Sequence, residues 1–315
     1  MTTDFRAIEP PISEPGTDTL IPGRPSSDAV LSHVDVGRSE KPPRGGAVWR
    51  RIRPWRRVDN GALDNVRRLN LASTTIRVGE SSTSLDIWYV DLDVSADLLE
   101  RFRHRLSNDE LARAARFRSD LDRARYTVGR ATLRGVLADR LGCIPSSLRF
   151  SYGATGKPML DGGVPLEFNL AHSGGEAVIA LADTAAVGVD IELLQPIADV
   201  QSLAREVFSE AERHELESAP DLVAAFLNGW TRKEAYVKAL GLGLTAPLTD
   251  ITVSLSGKAE LLATGLPDQS VSDWRLLKVP HPRAIVALAL GPLPDSARAA
   301  RLESGVSVRA MNPPL

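Results

Sequence analysis

Between Gly188 and Ile197 the chain reads GVDIELLQPI, and two carboxylates stand two residues apart in a run, AVGVDIELL, that otherwise has the make-up of a buried strand. Side chains alternate faces along a strand, so Val189 and Ile191 point one way and Asp190 and Glu192 the other, their Cβ atoms roughly 6 to 7 Å apart. Carboxylates in an apolar setting are costly unless something positive lies between them. A shared cation would serve, and so would arginines on a solvent-open edge strand; the triplet alone does not choose. A second pattern bears on the choice. WTRKEAYVK puts Trp230, Glu234 and Lys238 at i, i+4 and i+8 of a helix, hence on one stripe. A plain Glu–Lys pair beside a core tryptophan is the bland account. A carboxylate with a lysine one turn on, and with Lys233 flanking it, is also how a site joins a metal ligand to a phosphate clamp. Oxygen ligands from Asp190, Glu192 and Glu234 favour Mg²⁺ or Mn²⁺, with phosphate and water completing the octahedron.

Other groups suit anions. GKP sets Lys157 on a rigid turn, and FNLAHSG brings His172 to the end of a strand before two glycines. Arg113, Arg116 and Arg125 lie on helical sequence upstream. The alternatives are a hydrogen-bonded strand-end histidine and a solvated helix face.

The elements that must position these groups are legible as periodicity. SLDIWYVDLD (84–93) alternates as a strand. SADLLERFRHRLSNDELARAARF reads as helices with Ser107 and Asn108 as candidate N-caps, and DLDRARYTVGRATLRGVLADRLG as a long amphipathic helix stopped at Gly142. SLRFSYGATGKPML is a strand, a Gly-rich turn and a short strand. FNLAHSGGEAVIALAD and AAVGVDIELL read as two strands joined by a turn around Asp183. Residues 209–217 and 221–244 are helical, and DITVSLSG, WRLLKVP and AIVALALG are strands. AVIALA at Ala177 and AIVALA at Ala284 are near copies, each downstream of a long helix that carries basic residues and tyrosine, which suggests two similar α+β halves with a ligand cleft between them.

Residues 1–83 form a low-complexity extension, disordered or docked, that contains the basic segment RGGAVWRRIRPWRR (44–57). The halves span 84–185 and 186–291, and 292–315 is a tail. The balance is ordinary, with 43% hydrophobic and 25% charged residues, a net charge of −2 and a pI near 6.3. It gives no global reason to expect nucleic acid or an anionic membrane as partner of the main domain. Cys143 is the single cysteine, so no intrachain disulfide forms. No apolar run approaches the roughly 18 to 20 residues of a membrane span, and the N-terminus lacks a secretory pattern. A cytoplasmic protein is the expectation.

Taken in order, RF and then DRARY, GKP, FNLAHSG, GVDIE and WTRKEAYVKALGLGL resemble the Sfp-like 4′-phosphopantetheinyl transferases from about Ser84 to Gly291. The resemblance implies an α/β (α+β) fold of two similar halves related by pseudo-twofold symmetry, with coenzyme A in the cleft between them. It implies transfer of the 4′-phosphopantetheine arm to a serine of an apo acyl or peptidyl carrier protein, with release of 3′,5′-ADP. By motif match Asp190, Glu192 and Glu234 bind Mg²⁺ against the pyrophosphate. Glu234 is the base, directly or through water, and Lys238 stabilises the charge as the bridging oxygen leaves. His172 with Arg113 or Arg116 contacts the 3′-phosphate, while Lys157 and Arg125 steady the nucleotide and diphosphate. Two fused halves complete a cleft in one chain, so a monomer is expected.

Two positions depart from the family. Ala171 replaces the usual serine before the histidine, removing a hydroxyl that might have met a phosphate. Glu110 stands where some members are basic, which leaves 3′-phosphate binding to the downstream arginines. Alternatives are another Mg²⁺-dependent phosphotransferase, separated by binding of CoA against ATP, and a non-catalytic domain whose basic, tryptophan-bearing segment binds nucleic acid or membrane.

Overall fold

In the computed structural model, which describes residues 56–57, 65–69, 75–78, 81–162, 164 and 166–293, AVIALA and AIVALA are interior strands of two sheets. Most of the basic segment 44–57 and the tail from residue 294 lie outside the described residues. The first half begins with β1 (Arg56–Arg57), β2 (Val66–Leu69), β3 (Thr75–Val78) and β4 (Ser81–Asp91). Three helices follow, α1 (Ala96–Arg103), α2 (Asn108–Ala114) and α3 (Asp120–Leu141). A hairpin of β5 (Phe150–Tyr152) and β6 (Pro158–Leu160) then leads to β7 (Glu167–Ser173) and β8 (Glu176–Ala182). The second half repeats the order: β9 (Ala186–Leu193), α4 (Val200–Val207), α5 (Glu210–Glu217), α6 (Leu222–Leu240), a hairpin of β10 (Ile251–Val253) and β11 (Leu261–Thr264), β12 (Arg275–Val279) and β13 (Ala284–Gly291). β8 lies between β4 and β7, and β13 between β9 and β12, all pairs antiparallel. The expected two-half α/β architecture is the one observed. FNLAHSGGEAVIALAD differs from the expected single strand. Gly174, at φ +56°, folds it into the β7–β8 hairpin, a conformation open to a residue without Cβ.

The halves correspond in their interiors as well as in their order. Glu110, near the start of α2, accepts the Ser107 backbone N–H at 3.0 Å, and Glu212 in α5 accepts that of Ser209 at 2.7 Å. Each glutamate is buried against a cation from the long helix of its half. Arg130 Nη2 and Arg134 Nε bind Glu110 at 2.8 and 2.6 Å, and Lys233 Nζ lies 2.5 Å from Glu212. Arg134 also donates to Pro145 O and Leu148 O, and Lys233 to Val207 O and Leu248 O. Both cations stand eight residues before the left-handed glycine that ends the helix, Gly142 or Gly241. Glu110 is therefore an internal counter-ion. It does not face a ligand, and its acidity is what the two buried arginines require.

Apolar layers hold the sheets and helices, and a further cluster of Phe208, Leu216, Phe226 and Trp230 joins α4, α5 and α6. Trp88, Val90, Ile179 and Leu181 pack on α1 and α3. Ile87, Tyr89, Val178, Val189, Ile191, Val286 and Leu288 fill the space between the two sheets. Ala235, Tyr236 and Ala239 of α6 meet Ala287 and Ala289 beneath the second sheet. Val189 and Ile191 are fully buried, each contributing about 1.5–3 kcal/mol. Their alternation sends Gly188, Asp190 and Glu192 toward α6. Gly188 lets the two backbones touch: a Cβ there would lie 2.0 Å from Ala235 O and 2.4 Å from Ala239 N. The sheets meet where β7 lies along β9, joined by side chains. Asn169 Oδ1 accepts Val189 N–H at 2.8 Å, and Ser173 Oγ accepts Leu193 N–H at 3.2 Å. Among the described residues no helix is long and apolar enough to cross a membrane.

Candidate active site

The close approach at Gly188 brings the carboxylates of β9 to the polar stripe of α6. Lys238 Nζ donates to Asp190 Oδ1 at 2.6 Å, and Asp190 and Glu234 are 5% and 4% exposed. Glu192 Oε2 accepts from Ser173 Oγ at 3.0 Å. Burial pushes Glu192 up to about 7, reinforced by the charge of Asp190 and opposed by hydrogen bonds from Ser173 and Trp230. Burial also lifts Glu234 to about 7, with Lys238 opposing and Asp190 adding. Asp190 is raised by burial against the pull of Lys238. Burial works against the ammonium of Lys238, but Asp190, Glu234 and Glu192 outweigh it and hold its pKa above the usual lysine value. Three carboxyl groups thus act on one ammonium in a low-dielectric setting, and it is the setting that lifts two of them to about 7.

Among the described residues no three His, Cys, Asp or Glu side chains are placed so as to chelate an ion, and the counter-charge on Asp190 is the Lys238 ammonium. The residues nonetheless fit a hard divalent cation. The donors are all oxygen, and Asp190 Oδ2 is buried with no hydrogen-bond partner.

The pseudo-symmetric position in the first half carries none of this. On β4 the residues that face the helices of the first half, Trp88 and Val90, are apolar and buried. Counting back from the helix-ending glycines puts Gly135 at the place of Glu234. The site belongs to one half only.

The residues expected to hold the nucleotide lie on the first half. Arg113, in the last turn of α2, sets its guanidinium 5.9 Å from the Tyr126 ring centre, and Arg116 is exposed just beyond that helix. Arg125 binds Asp93 through two hydrogen bonds of 2.7 and 2.8 Å, and Asp93 raises its already high pKa. His172 is exposed on β7 beside the Gly174–Gly175 turn. Lys157 turns inward, donating to Val187 O and Ala239 O, and burial lowers it to about 8. Ala171 packs in the core between the sheets, where its side chain meets strands. Sequence reading missed Ser173, which steadies Glu192, and Gly188. The available signals were a hydroxyl facing opposite to His172 and a glycine inside an apolar strand.

Comparison with known proteins agrees with this geometry. A family model described as the 4′-phosphopantetheinyl transferase superfamily matches residues 186–289, the half that carries the carboxylates. The chain is 37% identical over 215 residues to the 4′-phosphopantetheinyl transferase HetI of Nostoc sp., covering 66% of this chain and 88% of that protein. It is 30% identical over 182 residues to Sfp of Bacillus subtilis, covering 57% and 80%, and 41% over 121 residues to AcpT of Salmonella typhimurium, covering 38% and 59%. With nearly all of HetI matched, and with the acidic strand and the lysine-bearing helix meeting as described, the chain is a member of the 4′-phosphopantetheinyl transferase family.

Proposed function

We propose that the protein moves the 4′-phosphopantetheine group of coenzyme A to a serine hydroxyl of an apo acyl or peptidyl carrier protein, and that Asp190, Glu192, Glu234 and Lys238 carry the step. A serine oxygen attacks the phosphorus bearing the pantetheine arm, and a new P–O bond forms. The bond from that phosphorus to the bridging oxygen breaks, and its electron pair leaves with 3′,5′-ADP. Glu234 takes the serine proton, directly or through a water; burial that lifts it to about 7 suits a group accepting a proton near neutral pH. Lys238, held by Asp190, faces the charge that grows on the leaving oxygen. Asp190, Glu192 and Glu234 would hold Mg²⁺ or Mn²⁺, which when bound neutralises the pyrophosphate and favours in-line displacement. By motif match His172 with Arg113 or Arg116 is assigned to the 3′-phosphate, and Arg125 to the nucleotide and diphosphate. Such a protein acts as a monomer in the cytoplasm with no call on nucleic acid.

The observation that carries this reading is the 2.6 Å Lys238–Asp190 contact together with the buried, unpartnered Oδ2 of the same aspartate. The test is incubation with CoA, a divalent cation and a panel of apo carriers. The expected product gains about 340 Da, the mass of the transferred arm. Asp190→Ala, Glu234→Ala and Lys238→Ala should each abolish labelling in folded protein. Robust labelling by Glu234→Ala would remove that residue from the role of base.

A further inference from the structure

The turn that carries GKP does something the motif does not announce. It is closed on itself by Gly153 N–H to Lys157 O at 3.0 Å and Gly156 N–H to Gly153 O at 2.9 Å. From this loop Lys157 reaches into the second half, where its ammonium donates to Ala239 O at 3.0 Å and to Val187 O at 3.2 Å. Ala239 follows Lys238 directly on α6, and Val187 precedes Asp190 by three residues on β9. One ammonium thus ties the strand that bears Asp190 and Glu192 to the helix that bears Glu234 and Lys238.

The helix end needs such partners. An α-helix leaves its last four carbonyls without intrahelical donors. In α6 the Gly241 N–H covers Lys238 O and Val237 O, and Lys157 covers Ala239 O. Just past the helix, Thr155 Oγ1 donates to Gly241 O at 2.5 Å. The loop packs on the helix end: a Cβ on Gly241 would be in ordinary contact with Lys157 Cδ at 3.5 Å, and one on Gly243 would be crowded at 3.1 Å from Thr155 Cβ. A cation at a helix C-terminus is also favoured by the helix dipole. Two of the three donors of this ammonium are spent on carbonyls inside the protein.

We infer that the β5–β6 loop, through Lys157 and Thr155, is the clasp that fixes the spacing of β9 and α6, and that Lys157 is a positioning residue for the transfer and not a nucleotide contact. The inference rests on the transferase reading above.

Lys157→Met tests it through three measurements: kcat for carrier labelling at saturating CoA, affinity for Mn²⁺ alone by electron paramagnetic resonance, and the inhibition constant of 3′,5′-ADP. A site loosened by about 1 Å loses on the order of 10²-fold in rate. The expected result is a fall in kcat of about 10- to 100-fold with weakened Mn²⁺ binding, while 3′,5′-ADP inhibits as before. Lys157→Arg should recover most of the kcat. A large rise in the 3′,5′-ADP constant with kcat and Mn²⁺ affinity intact would make Lys157 a nucleotide ligand and overturn the clasp. Should Lys157→Met fail to fold, Thr155→Val removes only the donor to Gly241 O; it should show the same pattern more weakly, and unchanged kcat and Mn²⁺ affinity there would overturn the proposal. Wild-type protein that neither binds Mn²⁺ nor labels any carrier would instead defeat the transferase reading, and the clasp with it.

Discussion

Replacing Gly188 by alanine adds one methyl group at the point where β9 and α6 touch. The new Cβ would stand 2.0 Å from Ala235 O, 2.4 Å from Ala239 N and 3.0 Å from Ala239 Cα, all backbone atoms that no rotamer change can move. A carbon meets a carbonyl oxygen comfortably at about 3.3 Å, so strand and helix must part by about 1.3 Å along that line. Overpacking of this kind costs about 1–3 kcal/mol, occasionally more, which in a chain this size lowers Tm by roughly 2–12 °C. The larger effect falls on chemistry. Asp190 and Glu192 ride on the strand while Glu234 and Lys238 ride on the helix, and a shift of about 1 Å is worth on the order of 10²-fold in rate. Carrier labelling followed by mass should therefore drop about 100-fold in kcat/KM in protein that still melts cooperatively. The matched control is Gly129→Ala on α3, whose methyl would meet nothing nearer than Leu92 Cδ2 at 3.6 Å; it should keep its activity and gain up to about 1 kcal/mol from helix propensity. Gly188→Ala protein with labelling within about threefold of wild type and an unchanged Tm would refute the claim that this contact sets the site.

Two further outcomes follow from the buried charges. Glu110→Ala leaves Arg130 and Arg134 without their counter-ion and should cost about 3–5 kcal/mol in urea unfolding, while CoA affinity measured on the folded fraction stays the same; lost CoA affinity at unchanged stability would return position 110 to the ligand. Glu192 and Glu234 both titrate near 7 in the folded protein against a usual 4.5, so the folded chain holds protons there that the unfolded chain has released. Stability from those neutral forms is complete below about pH 4.5 and is lost as pH rises through about 7. A divalent cation needs the ionised forms, so the rise in Tm produced by Mg²⁺ or Mn²⁺ should be small near pH 5.5 and large near pH 8. An equal rise at both pH values would place the cation elsewhere.

What the sequence disclosed was whatever periodicity controls. Period two placed Asp190 and Glu192 opposite Val189 and Ile191, and the helical stripe placed Trp230, Glu234 and Lys238 together, because each pattern is set by neighbours along the chain. The near-copies at Ala177 and Ala284 disclosed the duplication for the same reason. Partners distant in sequence were invisible. Glu110 looked like a lost ligand contact because nothing nearby in the chain says that Arg130 and Arg134 turn inward onto it. Lys157 was legible only as a cation on a turn, because its acceptors, Val187 O and Ala239 O, are backbone atoms 30 and 82 residues away. The β7–β8 turn was signalled by Gly174 and Gly175 between Ser173 and Glu176, but the apolar residues on either side read as one continuous strand.

The strands ahead of the transferase motifs bear on where this chain tolerates being cut. β2 pairs with Ile87–Val90 and β3 with Ser81–Ser84, so between them they cover the outer side of β4. Val66 is buried with Trp88 and Val90, and Asn65 exchanges hydrogen bonds with Asp91 at the far end. A chain trimmed to the first family-like residue, Ser84, would keep every group of the catalytic site and lose that cover. The bared N–H and C=O groups of β4 would then be an open template for another molecule's strand, and insolubility of such a fragment would report on its exposed sheet margin and not on its chemistry.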